Sequence, residues 1–204
     1  MKNIIIVGGF HEVIELCEDA GWNIIGIIDN VLTGEYYGYP VIGTDDDVLV
    51  IYKQHPDSQI VITPDSPRLR KKLVDLYRSA GFSFATIIHP TATVSRFATI
   101  GEGTVVQRGV NVSANTKIGN FCKLNTGCNV MHDNSIGDYA TIAPNSVILG
   151  YVTVGELSYI GANSTILPNI NIGGLCTIGA GAVVTKSVKS NLVVAGVPAK
   201  EIVK

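Results

Sequence analysis

From Ile88 onward every sixth residue of the chain is aliphatic: Val94, Ile100, Val106, Val112, Ile118, Leu124, Val130, Ile136, Ile142, Ile148, Val154, Ile160, Ile166, Ile172, Ile178 and Val184. A period of six keeps side chains on one side of neither a helix nor a coiled coil. A solenoid of short strands does so: each hexapeptide supplies one strand and one corner, and three make a triangular coil of 18 residues. Four places after each aliphatic residue stands a small or modest one, as at Ala98, Thr104, Thr116, Cys122, Cys128, Ala140, Ser146, Ser158, Ser164, Cys176 and Ala182; Asn134, Val110, Val152, Ile170 and Val188 are the exceptions. Coils one strand spacing apart, about 4.8 Å, build a prism roughly 25 Å tall from about five turns. Glycine recurs every 18 residues in Ile100-Gly101, Ile118-Gly119, Ile136-Gly137, Val154-Gly155 and Ile172-Gly173, a corner expected to need unusual backbone angles.

The first part of the chain reads differently, and the boundary is expected near residue 86, giving domains 1–86 and 87–204. Ile4 to Val7 is a fully apolar run, Gly8-Gly9 follows, an amphipathic stretch spans about His11 to Ala20, and Asn23 to Ile28 is again strand-like, a βαβ unit. Gln59 to Thr63 reads as a further strand before a helix from about Pro67 to Ser79. A small parallel sheet covered by helices binds its ligand at the carboxyl ends of the strands, where a glycine turn brings phosphate to helix-terminal amides. Gly8, Gly9 and His11 occupy that turn, and Asp29 closes the second strand where an acid commonly accepts from a ribose hydroxyl. Phe10 and Glu12 interrupt the full dinucleotide fingerprint, so a nicotinamide oxidoreductase rests on Gly8, Gly9 and Asp29 alone. The basic run Arg68, Arg70, Lys71, Lys72 is open to two readings, a phosphate clamp or, the commoner case, a solvated helix face.

A formal charge of −2 with both signs interspersed offers no basic face for nucleic acid or an anionic membrane. No stretch is long and apolar enough for a membrane span, and a cytoplasmic location is expected. The four cysteines, Cys17, Cys122, Cys128 and Cys176, lack CxxC spacing and read as reduced, buried thiols. Of the four histidines, His132 alone lies well inside the repeat; two places after Val130, near a corner, it should project outward, with Asp133 beside it. An imidazole braced by a carboxylate can take a proton from an amine or hydroxyl attacking a thioester. No metal is required, and a zinc anhydrase of this architecture would need three histidines around its zinc.

Several segments together resemble one family over nearly the whole chain: Ile5-Ile6-Val7-Gly8-Gly9, Ile27-Ile28-Asp29-Asn30, Arg70-Lys71-Lys72-Leu73, Ile88-His89-Pro90-Thr91-Ala92, Leu124-Asn125-Thr126, His132-Asp133, Leu167-Pro168-Asn169 and Gly196-Val197-Pro198-Ala199-Lys200. The family is that of the sialic-acid O-acetyltransferase-like proteins, which includes N-acetyltransferases acting on UDP-linked 4-amino-sugars and on perosamine. The resemblance implies a Rossmann-like nucleotide-sugar-binding domain in front of a left-handed parallel β-helix with a C-terminal cap. It implies transfer of acetyl from acetyl-CoA to the amine of a nucleotide-linked amino sugar, UDP favoured, in a homotrimer without metal.

By the same resemblance His132 is the general base and Asp133 its partner. Asn125 and Thr126 lie near the acceptor sugar, and Gly8, Gly9, His11, Asp29, Asn30 and Thr63 line the nucleotide pocket. Acetyl-CoA runs between two prisms past Gly150, Gly161, Ala162, Gly179 and Ala180, with Lys186 near a CoA phosphate. The chain departs from the family in its short front turn, in Thr141 where relatives carry a second histidine, and in Thr63-Pro64-Asp65-Ser66 where a Gly-Asn-like turn is usual. If the second histidine of relatives seats the thioester carbonyl, two alternatives stand here: a hydroxyl bond from Thr141, or an acetyl group held differently. The competing readings are O-acetylation of a sugar hydroxyl, as on sialic acid, and a non-catalytic nucleotide-sugar-binding trimer.

Overall fold

The computed structural model describes residues 2–202. Its first half contains β1 (Asn3–Val7), α1 (His11–Asp19), β2 (Asn23–Ile28), β3 (Glu35–Tyr36), β4 (Tyr39–Gly43), α2 (Val48–Gln54), β5 (Gln59–Ile62), α3 (Pro67–Ser79) and β6 (Ser83–Phe84). The strands form one six-stranded sheet in the order β3-β4-β2-β1-β5-β6, with β3 and β4 antiparallel and the other pairs parallel. The apolar run of β1 is explained by its place near the middle of that sheet, covered on both sides. Ile4 and Ile6 meet Val13, Leu16 and Cys17 of α1, and Ile5 and Val7 meet Val48 of α2 and Leu73, Val74 and Tyr77 of α3. The stretch holding β4 and α2 went unread in the sequence. In Val48–Gln54 only Val48 and Ile51, three apart, are buried, while Leu49 and Val50 are exposed.

From Ile87 the chain winds as a left-handed β-helix of two-residue strands on three faces. The first face has eight strands, from Ile87–Ile88 to Lys200–Glu201; the second has six, from Thr93–Val94 to Val183–Val184; the third has five, from Thr99–Ile100 to Asn171–Ile172. Strands pair with the one 18 residues on, as Val105 does with Lys123, until the last turn of the first face, where Thr177 pairs with Val193 and the final pair is antiparallel. The second residue of each pair points to the axis, and Val106, Leu124, Val130, Ile142, Ile148, Ile160, Ile166 and Ile172 are all fully buried there. Ile88 departs from the row at 39% exposure, because it belongs to the terminal coil and has no turn stacked above it. The small residues four places on form a second inward row whose hydroxyls and thiols satisfy corner carbonyls, as Ser146 Oγ donates to Ala143 O at 2.6 Å and Cys122 Sγ to Gly137 O at 3.2 Å.

The corner glycines are required for a different reason from the one expected. Gly101, Gly119, Gly137, Gly155 and Gly173 are not in the left-handed region. A Cβ on Gly137 would stand 2.6 Å from Glu156 N of the next coil, and one on Gly155 would stand 2.4 Å from Gly174 N. Close coil stacking excludes side chains there. The left-handed positions lie two residues later, at Phe121, Tyr139, Leu157 and Leu175, with φ between +54° and +61°.

This column of bulky corner residues joins the halves. Phe121 stacks on Tyr139 and meets Phe84 edge-on. Arg70, expected on a solvated face, is 1% exposed. Its guanidinium donates to Phe121 O, Pro64 O, Asp65 O, Tyr139 O, Ala140 O and Thr141 Oγ1, so it is a buried cation satisfied almost wholly by carbonyls. Burial pulls its pKa down to about 10, which leaves it charged at neutral pH.

Candidate active site

His132 follows the strand Asn129–Val130 at the corner between the second and third faces, and its side chain is 52% exposed. Its Nδ1 lies 2.9 Å from Asp133 Oδ2. Asp133 occupies the left-handed corner position, φ +58°, which turns its carboxylate back onto the ring. The His132 contact, then a bond from Asn115 Nδ2, holds the Asp133 carboxyl below the usual carboxylate range. With Asp133 ionised, the neutral imidazole carries its proton on Nδ1 and presents the Nε2 lone pair outward. Nε2 has no hydrogen-bond partner among the described residues. Tyr151 meets the ring edge-on at 5.4 Å, and Gly150 lies flush beneath it, where a Cβ would come within 2.6 Å of Cε1.

The residues expected to line a nucleotide pocket lie mostly in the front half. Gly8, Asp29, Asn30, Asp45 and Pro64 line a cavity of about 190 Å³. Asp29 Oδ2 accepts from Gly9 N at 2.8 Å, and Oδ1 accepts from Val31 N and Leu32 N. Asn30 exchanges two hydrogen bonds with Asp45, whose Oδ1 also accepts from Tyr77 Oη. Thr63 Oγ1 is committed to Val7 O and Gly8 O, so its hydroxyl supports the glycine turn. Gly8, at φ +87°, makes room for that hydroxyl, and Gly9 makes room for Leu32.

Pro64 also borders a second cavity of about 200 Å³, with Phe10, Thr63, Asp65 and Lys123. Asn125 Nδ2 donates to Asp65 Oδ1 at 3.2 Å. Thr126 and His11 share a third cavity of about 280 Å³ with Glu12, Glu15, His89, Gln107 and Arg108. His11 stacks on Tyr37, and Gln107 Oε1 accepts from both the N–H and the hydroxyl of Thr126. Lys123, Gln107 and Tyr151 went unmarked in the sequence.

Within one chain the remaining residues fall on two edges. Asn125, Thr126, Gly161, Ala162, Gly179 and Ala180 lie at corners between the first and second faces; His132, Gly150 and Lys186 lie at corners between the second and third. One face of the prism separates His132 from the small-residue edge. Thr141 is placed elsewhere. It is fully buried on the first face, donates its hydroxyl hydrogen to Asp65 O at 2.7 Å and accepts from Arg70 Nη2 at 2.9 Å. The expected seating of a thioester carbonyl therefore finds no donor in Thr141. Among the described residues no three His, Cys, Asp or Glu side chains cluster as a metal site, and no helix is long and apolar enough to cross a membrane.

Known proteins repeat both halves. The family described as PglD N-terminal domain matches residues 3–77, and the bacterial transferase hexapeptide (six repeats) matches residues 115–150. GDP-perosamine N-acetyltransferase from Caulobacter crescentus, solved with CoA and GDP-perosamine, is 33% identical with a TM-score of 0.94, over 100% of this chain and 98% of that one. The acetyltransferase domain of PglB from Neisseria gonorrhoeae, solved also with acetyl coenzyme A, is 30% identical with a TM-score of 0.93, over 99% and 100%. WeeI from Acinetobacter baumannii AYE superposes at 0.71 with 26% identity, over 98% and 100%. No curated relative matches the sequence.

Proposed function

We propose, for a chain that belongs to the hexapeptide-repeat sugar N-acetyltransferases and moves acetyl from acetyl-CoA to the amine of a nucleotide-linked amino sugar, that His132 is the general base and that the site is completed between two chains of a homotrimer. The outward, unpartnered Nε2 braced through Nδ1 by Asp133 carries the first part. As the amine nitrogen bonds to the thioester carbonyl carbon, its proton passes to Nε2. Collapse breaks the C–S bond, and the same proton is available to the departing thiolate.

The division of the site residues between two edges supports the second part. Two prisms set side by side along the second face bring the His132 edge of one chain to the Thr126, Gly161 and Gly179 edge of the next. Beyond its first strand, where Thr93 is exposed, the outward residues of that face, Asn111, Asn129, Val147, Thr165 and Val183, are half-buried, whereas Thr99, Lys117, Ser135, Thr153 and Asn171 of the third face are exposed. Small residues at 161, 162, 179 and 180 suit close approach of a pantetheine arm, with Lys186, exposed on the opposite edge, near a CoA phosphate. The base-side cavity with Asp29 and Asn30 takes the nucleoside, UDP being the first candidate and GDP, the nucleotide part of the GDP-perosamine bound by the Caulobacter enzyme, the second.

Chain mixing tests the shared site. His132→Ala and Ala180→Trp chains, each inactive alone, should regain acetyl transfer when unfolded and refolded together, at interfaces formed from one intact edge of each. Absence of recovery in confirmed mixed trimers places the whole site within one chain.

A further inference from the structure

We propose that Lys123, a solenoid residue, is the cation that receives the diphosphate of the nucleotide sugar, and that Asp65 occupies it until the substrate arrives; this rests on the nucleotide-sugar reading above. Lys123 stands at an outward strand position of the first face, yet it is 1% exposed because the front domain covers it. Its Nζ donates to Thr63 O at 2.6 Å and lies 2.9 Å from Asp65 Oδ1. An ammonium has three N–H groups, and these are its two acceptors among the described residues. Its remaining side faces the Phe10 ring, 5.1 Å away, in the cavity that Lys123 lines with Phe10, Thr63, Pro64 and Asp65.

Three observations argue that this cation serves a ligand and not only the joint between halves. First, Phe10 is the N-cap of α1 and gives no side-chain cap, so the leading N–H groups of the helix stand open beside Lys123, with Glu12 the one acidic residue of the first turn. An anionic group placed between those N–H groups and the ammonium would meet donors from both. Second, the anion present is a surface group: the Asp65 side chain is 49% exposed while that of Lys123 is 2% exposed, so Asp65 can swing outward without opening the core. Third, Arg70 already ties the same loop to the solenoid through Pro64 O and Asp65 O, and an ion pair whose carboxylate is half exposed adds little to stability. The cavity shares Pro64 with the base-side cavity, and Asn125 reaches Asp65 from the acceptor side. A diphosphate linking the two would pass Lys123.

The test compares binding of UDP with uridine and of GDP with guanosine by calorimetry, on the full-length wild type, Lys123→Met and Asp65→Asn. In the wild type the diphosphate binds more tightly than its nucleoside. Lys123→Met should shrink that preference by at least about tenfold, the scale of one hydrogen bond to a charged group, while nucleoside affinity stays put. Asp65→Asn should enlarge it, because the ammonium is released from its competitor. A mere domain clamp gives another pattern, with both variants less stable and neither changing the ratio, and that result overturns the proposal. If Lys123→Met does not fold, Asp65→Asn still decides, since a weakened or unchanged diphosphate preference contradicts it. A wild type that binds no nucleotide would overturn this inference and the nucleotide-sugar reading together; a wild type with the preference and unaltered variants overturns this inference alone.

Discussion

Gly150→Ala should disable catalysis while leaving the fold intact. A Cβ at Gly150 would stand 2.6 Å from Cε1, 2.9 Å from Nε2 and 3.1 Å from Nδ1 of His132, and those are its three nearest neighbours. Ordinary contact begins near 3.4 Å, so the ring must retreat by about 0.8 Å, the difference between 3.4 and 2.6. Gly150 is not in the left-handed region, so alanine suits its backbone, and the half-exposed ring can yield without disturbing the core. The retreat pulls Nδ1 from Asp133 and moves Nε2 off the amine. A misplacement of about 1 Å costs on the order of 10²-fold in rate, or about 2.7 kcal/mol of barrier. The melting temperature should hold or rise slightly, since Gly→Ala at a compatible site adds about 0.4–1 kcal/mol through the unfolded chain. Release of free CoA thiol under saturating substrates, with a melting curve on the same sample, reads both. Wild-type turnover in Gly150→Ala would refute the placement of His132 over this glycine as a catalytic requirement.

Two further perturbations probe the joint between the halves and the glycine turn of the front half. Arg70→Met leaves a set of buried carbonyls short of donors and should cost about 3 kcal/mol, roughly 6 to 12 °C in melting temperature for a chain of this length; a shift of a degree or two would show that water replaces the guanidinium. Partial burial alone would raise the pKa of Asp29, but backbone N–H bonds from Gly9, Leu32 and Val31 outweigh it and hold the pKa below the usual value. Its stabilisation is therefore fully present above the ordinary carboxylate pKa of about 4 and is lost as pH falls through the lower folded value. Asp29→Asn should be less stable than wild type at neutral pH, with the gap closing in acid; a gap that persists in acid would show that charge is not its source.

The solenoid was readable because its rule is local: an inward aliphatic residue every six, and a small residue that tucks a hydroxyl or thiol under the next corner. His132 and Asp133 were readable for the same reason, since phase alone puts them at a corner. Positions decided by the other half of the molecule were not. Lys117 and Lys123 hold equivalent outward strand positions one step apart, yet Lys117 lies on the open third face while the front domain covers Lys123. Arg70 looks like its neighbours Arg68 and Lys72; what buries it is the set of carbonyls at Phe121, Tyr139 and Ala140, 51 to 70 residues further along. Thr141 fell to the same cause, because it stands under that guanidinium and its hydroxyl was already engaged. The corner glycines were found for the wrong reason, as a sequence period cannot distinguish a strained angle from a stacking contact.

The most direct measurement is release of CoA thiol from acetyl-CoA by wild type and by His132→Ala, with UDP-4-amino-sugars and GDP-perosamine as acceptors and sialic acid as the hydroxyl control. The expected result is fast release with one nucleotide-linked amine, an N-acetylated product, and a loss of about 10²-fold or more in folded His132→Ala. Equal rates in the two proteins, or release only with the hydroxyl acceptor, would contradict it.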